Sequence, residues 1–229
     1  LNSGSAFRQR MVGVFDNDAE PQLSHIATDG ESYGHHHEWG EMALAFCLNY
    51  VEEKTPATLT NYGQFLEMHP PVYEVQIHEN SSWSCVHGVE RWRSDCGCNT
   101  GGQPGWHQAW RGPLREALDW LRDELTREYE TSASQWLKNI WEARDAYIQV
   151  ILNRSQENVD AFVKRHASRE LSKAERINLL RLLEIQRQCQ LMYTSCAWFF
   201  SEVSGIETSQ VLQYALRATY HHYNATGMS

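Results

Sequence analysis

The chain has 229 residues, of which 41% are hydrophobic and 21% charged, a composition that indicates a globular protein and excludes a disordered one. Its formal net charge of −9 disfavours nucleic acid and anionic membrane surfaces as partners, because both attract basic surfaces. No apolar run approaches the ~20 residues that a membrane span requires, and the N-terminus lacks the basic and apolar pattern of a signal peptide.

The six cysteines are too sparse for a disulfide-stapled secreted scaffold. The sequence therefore predicts a reduced, cytoplasmic protein. The chain opens on Leu1 in a segment that reads as the middle of a longer protein, so we expect a fragment.

Two carboxylates lie between a predicted strand and a predicted helix near the N-terminus. Residues 23–28 are apolar and predict a short buried strand. Apolar residues at helical spacing predict a helix over 38–54, and its buried face is predicted to carry Trp39, Met42, Ala43, Phe46, Cys47 and Tyr50. Asp29 and Glu31 lie between them, followed by the run His35–His37. Open α/β sheets and barrels hold their catalytic groups at such strand ends. The simpler interpretation is a polar turn that caps the helix.

The middle of the chain is rich in loops. A short helix is predicted over 59–68 and an alternating, half-buried strand over 72–78. Residues 79–112 then read as one long loop with many Ser, Gly, Trp and Cys residues. A loop of this length within a compact domain is uncommon unless it is functional.

The rest of the chain has a helical pattern. Ser172 and Glu175 form a predicted capping box, and the helix that they begin is apolar on most sides, so it should be central in a bundle. Gly205 is predicted to end that helix. The predicted helices cover residues 113–130, 132–153, 156–167, 172–203 and 206–222.

The long loop carries donors that suit tetrahedral zinc, namely Cys85, His87, Cys96 and Cys98. Their Cys-x-His and Cys-x-Cys spacing departs from the Cys-x-x-Cys of common zinc sites. We therefore predict no bound metal, with a zinc site or a plain packed loop as alternatives. The consecutive histidines His35–His37 cannot easily converge on one ion.

Two segments resemble a known family. Residues 29–35, Asp-Gly-Glu-Ser-Tyr-Gly-His, are similar to the fourth sequence motif of glycoside hydrolase family 57, the α-amylase, 4-α-glucanotransferase and branching-enzyme group. Residues 79–121 and 193–208 resemble the uncharacterised helical domain that follows the catalytic barrel in one bacterial branch of that family. The resemblance implies that Asp29 is the general acid/base. It also implies a glutamate nucleophile on an earlier barrel strand, upstream of this chain.

Further site residues follow from the resemblance and from the aromatic content. A sugar ring presents apolar C–H faces that suit aromatic side chains. Trp198 resembles a tryptophan that closes the family's cleft, although a tryptophan on a buried helix is more often a core residue. Glu31 is expected to orient a neighbour and His35 to donate a hydrogen bond to a sugar hydroxyl. The predicted substrate-binding residues are Glu31, His35, Trp83, His87, Arg91, Trp92 and Trp198.

These observations predict a mainly α fold, with the last strand and helix of a (β/α) barrel-type catalytic domain before a C-terminal helical bundle. The expected parts are residues 1–55, a loop-rich connection over 56–112 and the bundle over 113–229. The predicted function is part of a retaining hydrolase or transglycosylase acting on α-glucan or oligosaccharides. It requires no cofactor and is inactive without its upstream catalytic-domain segment. The alternative is a non-catalytic carbohydrate-binding or assembly module, stapled by zinc.

Overall fold

The computed structural model describes residues 3–17 and 20–227, which are mainly helical, as predicted. The chain forms two compact units that divide between Ile77 and His78. None of the helices in the described residues is long and apolar enough to cross a membrane.

The first unit contains the helices α1 (Gly4–Val12), α2 (Gly40–Lys54) and α3 (Tyr62–Met68). Helix α1 was not expected; it packs along α2, and the Ser3 side chain caps it by accepting a hydrogen bond from the backbone N–H of Ala6. The helix predicted from residue 59 begins later, because the side chain of Asn61 caps α3.

Helix α2 forms where it was expected, but a different face of it is buried. Ala43 and Cys47 are buried as predicted, whereas Trp39, Met42 and Phe46 are half or more exposed. The first unit therefore presents an apolar helix face to its surroundings.

The two strands predicted over 23–28 and 72–78 do not form. Within the described part of the chain the structure has isolated β-bridges and no strand ladder. The alternation in 72–78 is present, but its apolar side chains are open to solvent, Val75 being 90% exposed. A strand needs a neighbour to take up its backbone hydrogen bonds, and side-chain alternation gives no information about that neighbour.

The second unit consists of a long loop and a helical bundle. The loop contains a short 3₁₀ turn, Glu90–Trp92, and a second such turn, Ser195–Trp198, connects the last two helices. The helices are α4 (Arg111–Ala133), α5 (Ile140–Ala146), α6 (Ile148–Leu152), α7 (Gln156–His166), α8 (Lys173–Leu191) and α9 (Ile206–Thr226).

Helix α8 is the centre of the bundle, which confirms the prediction from its apolar pattern. Leu179, Leu183 and Ile185 are almost completely buried, and α4 and α9 both pack against α8. The predicted capping box is also present, since the side chains of Ser172 and Glu175 bond each other's backbone N–H.

The two largest errors in the predicted boundaries of the bundle are the end of α8 and the break before α5, and a local hydrogen bond explains the first. Helix α8 ends at Leu191 and not at residue 203, because the Thr194 hydroxyl donates to the Leu191 carbonyl at 2.6 Å and the chain turns there. Gly205 does not end α8 but occupies the N-cap position of α9.

The second wrong boundary concerns residues 132–153, where one helix was expected. The backbone N–H of Lys138 donates to the carbonyl of His166 at 3.0 Å, and that of Ser168 donates to Trp136 at 2.8 Å. Because of these contacts the backbone leaves the helical conformation at the end of α4, and no continuous helix covers residues 132–153. The Asn139 side chain then caps α5.

Candidate functional sites

Asp29 is exposed and lies at the start of a short 3₁₀ turn, Gly30–Ser32. Its backbone carbonyl accepts a hydrogen bond from Ser32 at 3.0 Å, while its carboxylate does not cap the turn. The carboxylate is therefore placed on the surface of the first unit, available to a ligand.

The histidine run folds back onto this acidic turn. The backbone N–H groups of His35 and His36 both donate to the Glu31 carbonyl, at 3.2 and 3.3 Å. The Glu31 carboxylate lies 3.9 Å from the His36 ring nitrogen. Asp29, Glu31 and His35 thus share one compact exposed loop.

Trp39 adds an aromatic ring to the end of the same loop. It was predicted to lie on the buried face of α2, yet it is largely exposed and its backbone is left-handed, with φ 64°. A bulky residue in this conformation is rare, and such positions cluster at ligand sites. No feature of the sequence pattern indicated this conformation.

The second site lies in the loop of the second unit, where Cys85, His87, Cys96 and Cys98 come together. Their donor atoms all lie within 4.8 Å of one another. The Cys85 sulfur is 3.9 Å from that of Cys96 and 3.7 Å from that of Cys98. The His87 Nδ1 is 3.8 Å from the Cys85 sulfur and 3.3 Å from that of Cys98. All four cysteine and histidine donors that the sequence named thus converge. We refer to these four residues as the Cys/His cluster.

Two glycines allow the backbone to turn next to the residues of the Cys/His cluster. Gly88 follows His87 with φ 72°, and a Cβ there would lie 2.0 Å from the Asn80 carbonyl oxygen. Gly97 separates Cys96 from Cys98 with φ 77°. Both positions require the left-handed backbone that glycine adopts without strain.

The thiols of the Cys/His cluster shift one another's pKa values. Burial raises the pKa of Cys85. Hydrogen bonds from the His87 backbone and ring and from the thiols of Cys98 and Cys96 lower this pKa by a larger amount, so that it falls to about 6. The pKa of Cys98 is raised, chiefly by its hydrogen bond with Cys85. The lowered pKa of Cys85 favours its thiolate, which is the form of cysteine that binds metals.

A buried arginine lies beside the Cys/His cluster. Arg111 is 0% exposed, and its Nη1 lies 3.6 Å from the Cys96 sulfur and 2.9 Å from Gln108 Oε1. Its Nη2 donates to the carbonyls of Phe199 and Phe200 at 3.1 and 3.3 Å. Burial lowers the pKa of Arg111, and the hydrogen bond to Cys96 opposes that effect.

The residues predicted to face a sugar differ in exposure. Trp83 is 91% exposed and Trp92 is partly buried against the core. Arg91 is buried and donates to the carbonyls of Ser84 and Phe199, at 2.9 and 3.3 Å. In this conformation Trp83 offers a ring to a ligand, and Arg91 instead holds the loop in place.

Trp198 is a core residue in this conformation. It is 0% exposed, and its ring stacks against Trp110 with a centroid distance of 6.1 Å. No face of the ring is open for a sugar. This matches the alternative interpretation, a tryptophan that packs the bundle.

Sequence reasoning missed Gln108 and Arg111, which contact the Cys/His cluster and are both buried. A signal for Arg111 exists. It lies seven and fourteen residues before Leu118 and Leu125, on the same stripe of α4. A charged residue on an apolar stripe indicates a buried polar partner.

Comparison with known proteins gives one family. Residues 106–229 match the family model DUF3536, a domain of unknown function. That domain occurs in glycoside hydrolase family 57-like proteins. No curated protein and no solved structure matches the chain.

Proposed function

We propose a function from the premise that this chain belongs to the DUF3536 family, whose domain occurs in glycoside hydrolase family 57-like proteins. The chain is the acid/base-bearing part of a retaining enzyme that acts on α-glucan or oligosaccharides. The observation that carries the proposal is that the chain with the matched domain also has an exposed Asp29, in the loop that resembles the family 57 motif.

The apolar surface of the first unit supports a catalytic-domain partner. Large apolar side chains of α2 and of the extended segments are exposed there, among them Ile26, Met42, Phe46 and Val75. A groove of about 860 Å³ also opens beside residues 23–26, the segment that leads to Asp29. Large exposed apolar patches often mark surfaces that a partner covers. An upstream segment of the catalytic domain, with strands that pair with 23–28, is the partner we propose.

The mechanism divides the chemistry between two carboxylates. Asp29 gives its proton to the glycosidic oxygen as the bond to the anomeric carbon breaks, and a glutamate of the upstream segment attacks that carbon. Asp29 then removes a proton from water or from an acceptor sugar, whose oxygen displaces the glutamate. Glu31 and His35, on the same loop, orient the sugar, and the exposed ring of Trp39 provides a stacking surface beside them.

A second candidate is a non-catalytic carbohydrate-binding or assembly module. The observation that favours it is the core of the second unit, whose buried residues run from Leu118 to Ala218 and pack among themselves. Such a unit has the internal core of an independently folding domain. In this case Trp83 and the loop around it would bind glycan without cleaving it.

The two candidate functions predict different catalytic turnover of maltooligosaccharides. We expect the purified 229-residue chain to show no hydrolysis or transfer on maltooligosaccharides, since covalent catalysis cannot begin without the nucleophile. The protein extended by its upstream catalytic-domain segment should cleave or transfer them, as followed by product chromatography.

Two outcomes would contradict the proposal. Robust turnover by the 229-residue chain, abolished by Asp29→Asn, would mean that a second catalytic carboxylate lies within it. Binding without turnover by the extended protein would favour the non-catalytic module.

A further inference from the structure

We propose that the Cys/His cluster binds one structural Zn²⁺ ion through the sulfurs of Cys85, Cys96 and Cys98 and the Nδ1 of His87. The inference does not depend on the proposed glucan chemistry. It rests on the spacing of the donor atoms, on the donor types and on the charge of the surrounding residues.

The spacing of the donors fits a tetrahedral zinc site. With Zn–S bonds of about 2.3 Å and a Zn–N bond of about 2.0–2.1 Å, a tetrahedron has S···S edges of about 3.8 Å and S···N edges of about 3.6 Å. The two S···S distances from Cys85 are 3.7 and 3.9 Å. The S···N distances from His87 are 3.8 and 3.3 Å. The two remaining edges, from the Cys96 sulfur to that of Cys98 and to the His87 nitrogen, are no longer than 4.8 Å. Four of the six edges thus already match a tetrahedron, and shifts of about 1 Å or less in the other two would let all four atoms bind one ion.

The donor types select the metal and its role. Three soft sulfurs and an imidazole suit zinc and do not suit magnesium or calcium, which take oxygen ligands. Four protein ligands also close the coordination shell, which is typical of structural zinc and leaves no position for a catalytic water. The ion would hold the loop, as is usual where a long segment has little secondary structure of its own.

The charge of the neighbours gives an independent argument. Arg111 is fully buried, and no carboxylate of the described part of the chain forms an ion pair with it. A buried cation is costly unless an anion compensates it. Three thiolates, a neutral imidazole and Zn²⁺ sum to one negative charge. The guanidinium, 3.6 Å from the Cys96 sulfur, would then lie against an anionic site.

The surroundings of the cluster explain what the ion would stabilise. Gln108 donates to the carbonyl of Cys98 at 2.7 Å, which ties the second ligand pair to the start of α4. Arg91 and Arg111 both donate to the carbonyl of Phe199, on the segment between α8 and α9. Zinc would thus fasten the loop that carries Trp83 to two parts of the bundle.

The test is the metal content of the full chain, purified under reducing conditions with zinc present and then dialysed. Elemental analysis should find about one zinc per chain. Cys96→Ser and His87→Ala should each reduce this severalfold, because closed sites lose affinity with each ligand. The matched control is Cys196→Ser, which replaces an exposed free thiol outside the cluster and should keep the zinc.

A measurement on the unaltered chain tests the proposal even if the variants fail to fold. Titration with Co²⁺ in place of zinc should give the intense visible absorption of a tetrahedral thiolate site, saturating at one equivalent. The proposal is overturned by a reduced chain without stoichiometric zinc, by a weak octahedral cobalt spectrum, or by zinc retained in the ligand variants. A disulfide within the cluster in the protein isolated from cells would also overturn it.

Discussion

Replacing Asp29 by Asn in the protein that carries the proposed upstream segment should lower kcat/KM on maltooligosaccharides by about 10²–10⁴-fold. The amide is close in size to the carboxylate but can neither give nor take the proton. Because Asp29 is exposed and its side chain does not cap the turn, the substitution should leave the fold unchanged. Initial rates on a defined oligosaccharide measure the effect, and circular dichroism checks the fold.

The same loop provides controls. Glu38 is exposed and follows the histidine run, so Glu38→Gln makes the equivalent loss of charge outside the motif and should leave the rate unchanged. Glu31→Gln should have a smaller effect than Asp29→Asn, since Glu31 is assigned an orienting role. An Asp29→Asn enzyme with nearly full activity would remove the catalytic assignment.

Replacing Trp198 by Ala should lower the free energy of unfolding by about 3–5 kcal/mol, the usual cost of truncating a large buried aromatic residue. The ring is fully buried and stacks on Trp110, so its loss leaves a cavity between α4 and the turn before α9. Urea unfolding of the 229-residue chain, followed by circular dichroism, measures the change.

The control for Trp198→Ala is Trp120→Ala, on α4 with a 64% exposed side chain. Removing an exposed tryptophan should change the free energy of unfolding by about 0.5 kcal/mol or less. Equal effects of the two substitutions would show that Trp198 is not part of the core and would restore its predicted role as an exposed sugar-stacking ring.

Helices were predictable in this chain because their signals are local. The capping box of Ser172 and Glu175 and the apolar pattern of α8 both lie within one element. Strands 23–28 and 72–78 were not predictable in the same way, since their existence depends on a neighbouring strand that alternation does not reveal. The break before α5 likewise depends on the contact of Lys138 with His166, a residue distant in sequence.

The two candidate sites differ in how far the sequence specified them. It named all four donors of the Cys/His cluster, but their unusual spacing argued against zinc, and only their positions in space show the convergence. The motif around Asp29 was specific in sequence. Under the proposed function, the carboxylate that completes the site belongs to the upstream segment, so neither the sequence nor the fold of this chain could reveal the pair.

The most direct test of the proposed acid/base is azide rescue of Asp29→Ala in the protein with its upstream segment. With an α-maltosyl fluoride, whose fluoride leaves without protonation, the first step should stay fast and the glycosyl-enzyme should accumulate, because no base activates water. Azide needs no base, so it should restore turnover and release a maltosyl azide of retained α configuration. Full turnover of the variant without azide, or no glycosyl azide with it, would contradict the assignment of Asp29.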